Sequence, residues 1–298
     1  MSKVWQYYLI KAFSRVICWL PYSWLLAIGK LLGLVFHRIA KKQRKRAIAQ
    51  ISERLNLPEK EARAVIRRLF IHVGQTFLEI MYTPVLDRNN LERFIAIENR
   101  HYLEEVLSTE KGAVILAAHF GNWEWLGATL ALTGVPLSSV IKPQPNEQHT
   151  RILNEFRQHT GMQIFNRGTS ELLGISRALK QGRFVGFVAD QDAGRAGLFV
   201  DFLGKMASTP LGPATFARKF NVPVIPVFIV RRPEGGHRVV VQEPFYCEKT
   251  GNEEADLYRA TQQMVKITEN MIRQYPDHWL WFIKRWNTKY DEKAGETA

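Results

Sequence analysis

Apolar positions at 62, 65, 66, 69, 70, 73, 77, 80 and 81 recur at three- and four-residue spacing through PEKEARAVIRRLFIHVGQTFLEIMY, which starts at Pro58. That period predicts one long amphipathic helix, with Pro58 as its start signal. Residues 1–85 are expected to be helical throughout. Beyond them the period shortens. Compact β-type runs occur at AVILAA (113–118), LSSVI (137–141), MQIF (162–165), FVGFVA (184–189), VIPVFIV (224–230) and HRVVVQ (237–242). Amphipathic stretches such as NEQHTRILNEFRQHTG and TSELLGISRALKQG separate them, and EADLYRATQQMVKITENMIRQY (254–275) is predicted as a long closing helix. Strands alternating with helices imply an α/β fold, a largely parallel sheet flanked by helices. The expected division is a helical, membrane-associated N-terminal region (1–85), an α/β domain (86–290) and a short disordered tail (291–298).

The N-terminal region changes this picture most. Val16 to Gly29 carries no charge, Lys30 interrupts, and LLGLVF follows. Fourteen uncharged residues fall short of the roughly 18 needed for a confident span. No small-residue cleavage site follows, which argues against a removed signal peptide. Arg38, Lys41, Lys42, Arg44, Lys45 and Arg46 then place six positive charges in nine positions. An apolar segment bearing Trp5, Trp19 and Trp24 beside such a cluster predicts an anchor on an anionic, cytoplasmic leaflet, spanning or interfacial. The competing interpretation is a core helix followed by a solvated basic turn. The whole chain of 298 residues has 41 basic and 28 acidic side chains, a formal charge of +13, so it attracts anionic partners. No nucleic-acid motif accompanies the charge, and nucleic acid is not an expected partner. Two cysteines, Cys18 and Cys247, lack metal-ligand spacing and are expected to be reduced thiols.

The chemistry concentrates at GAVILAAHFGNWEWLGATLAL (112–132). His119 falls at the C-terminal end of a buried strand, the edge where open α/β sheets bind ligands. Gly121 suits a tight turn, Asn122 a helix N-cap, and Glu124 the first helical turn, where the helix dipole favours an acid. His119 and Glu124 are therefore expected to meet, the carboxylate holding the imidazole as a general base. No G-x-S-x-G is present, so a protein nucleophile is not evident. If the acceptor brings its own hydroxyl, direct acyl transfer needs none. A core histidine and a plain helix-start acid are the alternatives. A metal site is not expected, since H-E-x-x-H is absent and no third ligand has fitting spacing.

Several stretches together carry a family resemblance. His119-x4-Glu124 resembles the H-x4-D/E motif of glycerolipid-type acyltransferases, and GMQIFNR (161–167) is similar to their second block. VADQDAG (188–194), the 197–228 segment with its F-x-G turn and T-P-x-G, and PDHWLWFIKRWNT (276–288) resemble the bacterial lipid A biosynthesis acyltransferases. The tail departs from that pattern: His278 stands where Gln is usual, and Ile283 and Lys284 replace His-Arg. The early Arg/Asn signature is blurred in RAIAQISERL.

The resemblance implies an inner-membrane enzyme, without a cofactor. It would move a fatty acyl chain from acyl carrier protein, or from coenzyme A, to a hydroxyl of a phosphorylated lipid A precursor. A lysophospholipid or a mannoside-type glycolipid is the alternative acceptor. His119 and Glu124 become the expected catalytic pair. Arg167 is a candidate phosphate clamp, with a solvated surface arginine as the alternative. Asp190 and Asp192 would contact substrate or support the site by pairing with Arg167 or Arg195. Asn122 would shape the pocket, and Thr209 would donate to an oxyanion or phosphate, or cap the next helix. Backbone N–H groups near Gly121 are candidate oxyanion donors. Trp279, Trp281 and Trp286 are expected in the core or at the membrane interface, with a wall for the acyl chain as the other role.

Overall fold

The computed structural model describes residues 4–141, 144–166 and 169–290. Arg167 and the tail 291–298 lie outside the described residues. Four helices open the chain: α1 (Val4–Ile17), α2 (Tyr22–Ile39), α3 (Lys41–Leu55) and α4 (Glu59–Tyr82). A short α5 (Leu91–Phe94) leads to β1 (Ile95–Glu98) and α6 (His101–Ser108). Then follow β2 (Ala113–Ala117), α7 (Trp123–Leu132), β3 (Leu137–Ile141), α8 (Glu147–His159), β4 (Gln163–Asn166), α9 (Thr169–Lys180) and β5 (Phe184–Val188). The hairpin β6 (Leu198–Asp201)–β7 (Met206–Thr209), α10 (Gly212–Phe220), β8 (Val224–Arg231), β9 (His237–Val241) and α11 (Glu253–Gln274) complete the order.

Seven strands form one sheet in the order β1-β9-β8-β2-β5-β3-β4. Every neighbouring pair is parallel except β8 and β9. The six β-type runs predicted from composition all became strands, because central parallel strands are apolar on both faces. Three further strands were not anticipated: β1 (IAIE) and the two arms of the β6–β7 hairpin. All three are four residues long; β1 and β6 are only partly buried and β7 is buried but half polar, so none carries a long continuous apolar run.

The N-terminal helices share the core of the sheet. Tyr7, Ile17, Leu25 and Leu78 belong to the same buried cluster as Ile115, Trp125 and Ile229. Helix α2 lies on α4 through small residues: a Cβ at Gly33 would strike the Phe70 carbonyl, and one at Gly74 would strike the backbone of Gly29 and Gly33. The two backbones therefore approach as closely as only glycine permits. Among the described residues, no single helix is long and apolar enough to cross a membrane; α2 and α3 meet that test only together, bent by 90° at Ala40.

Candidate active site

Parallel register builds the site. Ala117 of β2 pairs with Val188 of β5, so both strands leave the same edge of the sheet together. His119 and Asp190 each lie two residues past those ends and come into contact. The Asp190 Oδ1 accepts from His119 Nδ1 at 2.7 Å, and its Oδ2 accepts the His119 backbone N–H at 3.0 Å and the Trp279 indole N–H at 2.7 Å. A carboxylate can only accept, so Nδ1 carries the proton and Nε2 presents its lone pair. The Gln191 amide nitrogen, 3.1 Å from Nε2, donates to it and agrees with that tautomer.

Electrostatics follow from the same contacts. Burial disfavours the imidazolium, but the charge and hydrogen bond of Asp190, with Glu124 behind them, outweigh it and raise the His119 pKa above 6.5. Burial likewise opposes ionisation of Asp190, and the His119 charge with three donated hydrogen bonds overcomes it and holds the carboxyl below its usual range.

The C-terminal segment clamps this turn from outside. Leu280 N–H donates to the His119 carbonyl at 3.2 Å and Gly121 N–H donates to the His278 carbonyl at 2.9 Å, bridging Phe120 to Trp279. Gly121 has φ +56°, and a Cβ there would collide with the Ile229 carbonyl. Its N–H is committed to His278, which removes it as an oxyanion donor.

The expectation that Glu124 holds the imidazole is corrected by the geometry: the carboxylate bonded to His119 is Asp190. Glu124 instead takes a fork of two hydrogen bonds from Arg157 of α8, at 2.5 and 2.8 Å. The start of α7 aims its side chain toward that neighbouring helix while keeping it close enough to favour the imidazolium.

Asn122 is fully buried. Its side-chain oxygen caps α7 by accepting from Trp125 N–H at 3.1 Å, and its amide donates to Glu79 at 2.9 Å. Glu79 is the centre of a buried network that also takes Arg231 at 2.6 and 2.7 Å, Tyr22 at 2.7 Å and His237 at 3.0 Å. Asp192 accepts from the Thr288 hydroxyl and N–H at 2.9 and 3.2 Å and so ties down the C-terminal segment. Among the described residues, neither Asp190 nor Asp192 pairs with an arginine. Thr209 caps no helix: its buried hydroxyl donates to the Ala207 carbonyl and accepts from the fully buried Arg285.

Trp279 and Trp281 are core residues, and Trp279 also touches the site through Asp190. The partners that spacing did not reveal (Asp190 for His119, Trp279, Gln191, Arg157 and the Glu79 network) are brought in by tertiary register rather than by local sequence.

Among the described residues, one cluster has ligand atoms close enough to hold a metal ion: His72, Asp277 and His278, within 4.8 Å of one another. Hydrogen bonding accounts for it. His278 Nδ1 donates to Asp277 at 2.8 Å, its Nε2 accepts the Arg231 backbone N–H at 3.0 Å, and Arg68 holds the other Asp277 oxygen at 2.7 Å. Burial pushes His72 down to about 3.

Among the described residues, neither nitrogen of His119 bonds a serine, threonine or cysteine. A tautomer-fixed base without a protein nucleophile, at the ligand edge of a parallel sheet, suits an enzyme that activates a hydroxyl belonging to its substrate. The chain is an O-acyltransferase. It belongs to the family described as bacterial lipid A biosynthesis acyltransferase, which it matches over residues 1–288. A lipid A biosynthesis acyltransferase of Haemophilus influenzae is 26% identical, over 98% of this chain and 93% of the relative. The lipid A biosynthesis palmitoleoyltransferase of Escherichia coli is 26% identical, over 91% of this chain and 87% of its own. A phosphatidylinositol mannoside acyltransferase of Mycolicibacterium smegmatis is 25% identical over 74% of this chain and 72% of the relative.

Proposed function

We propose that the protein transfers a fatty acyl chain from an acyl carrier protein or coenzyme A thioester to a hydroxyl of a lipid A precursor, with His119 as general base. The observation that carries this is the Asp190–His119 hydrogen bond, which fixes the tautomer and leaves Nε2 at the accessible side of the ring. Nε2 takes the proton of the acceptor hydroxyl, with Gln191 moving aside. The hydroxyl oxygen adds to the thioester carbonyl, the tetrahedral intermediate collapses to the ester, and the departing thiolate recovers the proton from the imidazolium. Asp190 stabilises that imidazolium directly, and Glu124 adds a second negative charge nearby. Trp123 and Glu124 stand in the first turn of α7, whose N–H groups a helix does not itself use; we assign them to the oxyanion. Arg167, outside the described residues, keeps its assignment as a phosphate clamp.

We place the reaction at the cytoplasmic face of the inner membrane. Among the described residues, twelve of the eighteen exposed large apolar side chains lie between Trp5 and Ile39. Trp24, Ile28, Leu31, Leu32, Val35 and Ile39 form a stripe on α2; Trp5, Tyr8, Leu9, Phe13 and Val16 form one on α1. Such stripes beside cationic residues suit an anionic leaflet.

The test is transfer by membranes containing the protein, given labelled acyl thioesters and a panel of lipid A-type, lysophospholipid and mannosylated acceptors, with mass spectrometry of the products. His119→Ala is expected to lower transfer at least about 100-fold, the scale of a general base, and Glu124→Ala, which removes only the second negative charge near the ring, is expected to lower it less. Normal turnover by the His119 variant would sink the mechanism. Esterification of only another acceptor would reassign the substrate.

A further inference from the structure

A groove of about 430 Å³ runs between α1 and α8, lined by Tyr7, Tyr8, Lys11, Ala12, Arg15 and Arg151. It is more ordered than a solvated charge run. The Arg151 guanidinium stacks over the Tyr7 ring at 4.1 Å, and the Lys11 ammonium lies 5.2 Å from the same ring. Glu155 of α8 accepts the Tyr7 hydroxyl at 2.6 Å and Lys11 at 3.0 Å, and Arg151 lies 3.5 Å from it. Asn146, at the start of α8, donates to Gln6 at 2.6 Å and closes one end of the contact. Two cations, Lys11 and Arg151, thus share one carboxylate, and among the described residues the third, Arg15, has no acidic partner. The surplus is two positive charges, with Lys11 and Arg151 held in place by the Tyr7 ring and by Glu155.

The groove also has an apolar neighbour. Tyr8 lines it and belongs to the exposed stripe of α1, so the cationic slot opens onto the side of α1 that carries Trp5, Leu9 and Phe13. A ligand that fits both must be an anion with apolar tails. We propose that this groove binds the phosphate headgroup of an anionic phospholipid, with its acyl chains lying along the α1 stripe. Arg151 and Arg15 hold the phosphate oxygens, and Tyr8 stands at the level of the glycerol. The site is separate from His119 but joined to it by α8: Arg157, six residues beyond Arg151, holds Glu124. This inference rests on the membrane-surface placement of α1 and α2 proposed above.

The experiment titrates the full-length protein with dihexanoyl phosphatidylglycerol below its micelle concentration, followed by tryptophan fluorescence. Saturable binding is expected, at least tenfold tighter than for dihexanoyl phosphatidylcholine. Arg15→Ala with Arg151→Ala should weaken it at least tenfold, and the corresponding Lys pair should restore it to within about threefold, since each cation near the phosphate contributes similarly. Ala12→Gln keeps every charge but fills part of the groove, and it should weaken binding too, which diffuse attraction would not do. Unchanged affinity in the double Ala variant, equal affinity for phosphatidylcholine, or equal affinity for inorganic phosphate overturns the proposal. So does a double variant whose only defect is a raised KM for acyl carrier protein or for the glycolipid acceptor. Co-sedimentation with phosphatidylglycerol vesicles separates the two readings. Loss of vesicle binding with soluble-lipid binding intact overturns the membrane placement alone; the reverse overturns the groove.

Discussion

Asp190→Asn is the most informative single change, because the geometry predicts which error it makes. The carboxylate accepts three hydrogen bonds: Oδ1 takes one, from Nδ1 of His119, and Oδ2 takes two, from His119 N–H and Trp279 Nε1–H. An asparagine has one carbonyl oxygen. Turned toward Nδ1, it sets its NH2 against two donors. Turned the other way, it keeps two bonds and sets NH2 against Nδ1 alone. The second orientation wins by one hydrogen bond, about 1 kcal/mol, plus one fewer donor–donor clash. Nδ1 must then accept, so the ring proton moves to Nε2 and the base is lost. The analogous carboxylate-to-amide change in a serine protease triad lowers kcat by about 10⁴-fold, and a loss of about 10³–10⁴ is expected here. The assay is the initial rate of transfer at acceptor concentrations well below KM, across pH. In the wild type, His119 must be neutral to act, and its pKa is raised, so kcat/KM should climb with pH through a midpoint above 6.5. Removing the Asp190 charge leaves burial dominant, so the residual activity of the variant should titrate below 6.5. A folded Asp190→Asn enzyme within tenfold of wild type, or with an unmoved midpoint, would refute the orienting role.

Other consequences are structural. Glu79→Gln leaves the buried Arg231 without its counter-charge, a loss of about 3–5 kcal/mol and roughly 10 °C in Tm, read by differential scanning fluorimetry. Glu79 is held well below its usual pKa by Arg231 and His237 despite its burial, so its contribution is present above pH 4.5 and fades as pH falls toward the depressed value; the Tm gap between variant and wild type should narrow on acidification. Gly74→Val drives a side chain into the backbone of Gly29 and Gly33, and should lower stability by about 3 kcal/mol or more and open the α1–α2 loop to proteolysis. Gly134→Ala is its control, since nothing lies within 4 Å of that site and only its positive φ is strained, about 1–2 kcal/mol. His278→Gln should retain most activity, because glutamine can both donate to Asp277 and accept from Arg231 N–H, whereas His278→Leu leaves that buried N–H unpaired and should lower stability by about 1–3 kcal/mol in thermal melts.

The strands were legible where burial on both faces makes a continuous apolar run, as in AVILAA and VIPVFIV. They were not legible at IAIE or LFVD, where short length and partial exposure dilute the pattern. The hairpin turn at Leu203 and Gly204, both at positive φ, is marked by its glycine but not by alternation around it. Within the site, His119, Asn122 and Glu124 could be located because they share one strand–turn–helix with local rules for each position. The partner of His119 could not. Five residues made Glu124 the natural choice, whereas Asp190 lies 71 positions away and Trp279 lies 89 from that acid. Only the β2–β5 register brings the first pair together, and register is a property of the assembled sheet.

The same logic explains why the closing segment carries so much chemistry without catalytic residue types. Residues 278–280 bond the turn at 119–121 through both backbones, Trp279 bonds Asp190, and Arg285 reaches the Ser208 carbonyl and the Thr209 hydroxyl at 2.5 Å each. A base at a strand end has freedom that a strand interior lacks, since its ladder stops there. Here the last residues of the fold continue that ladder for one bridge and then pin the loop after β5 through Asp192 and Thr288. On the opposite side, Glu79 and Asn122 fix the helix start. The imidazole is therefore held from the sheet, the N-terminal helices and the C-terminal segment at once. A substitution on any of the three should change transfer through the position of Nε2, even though among the described residues Asp190 and Gln191 alone bond the ring.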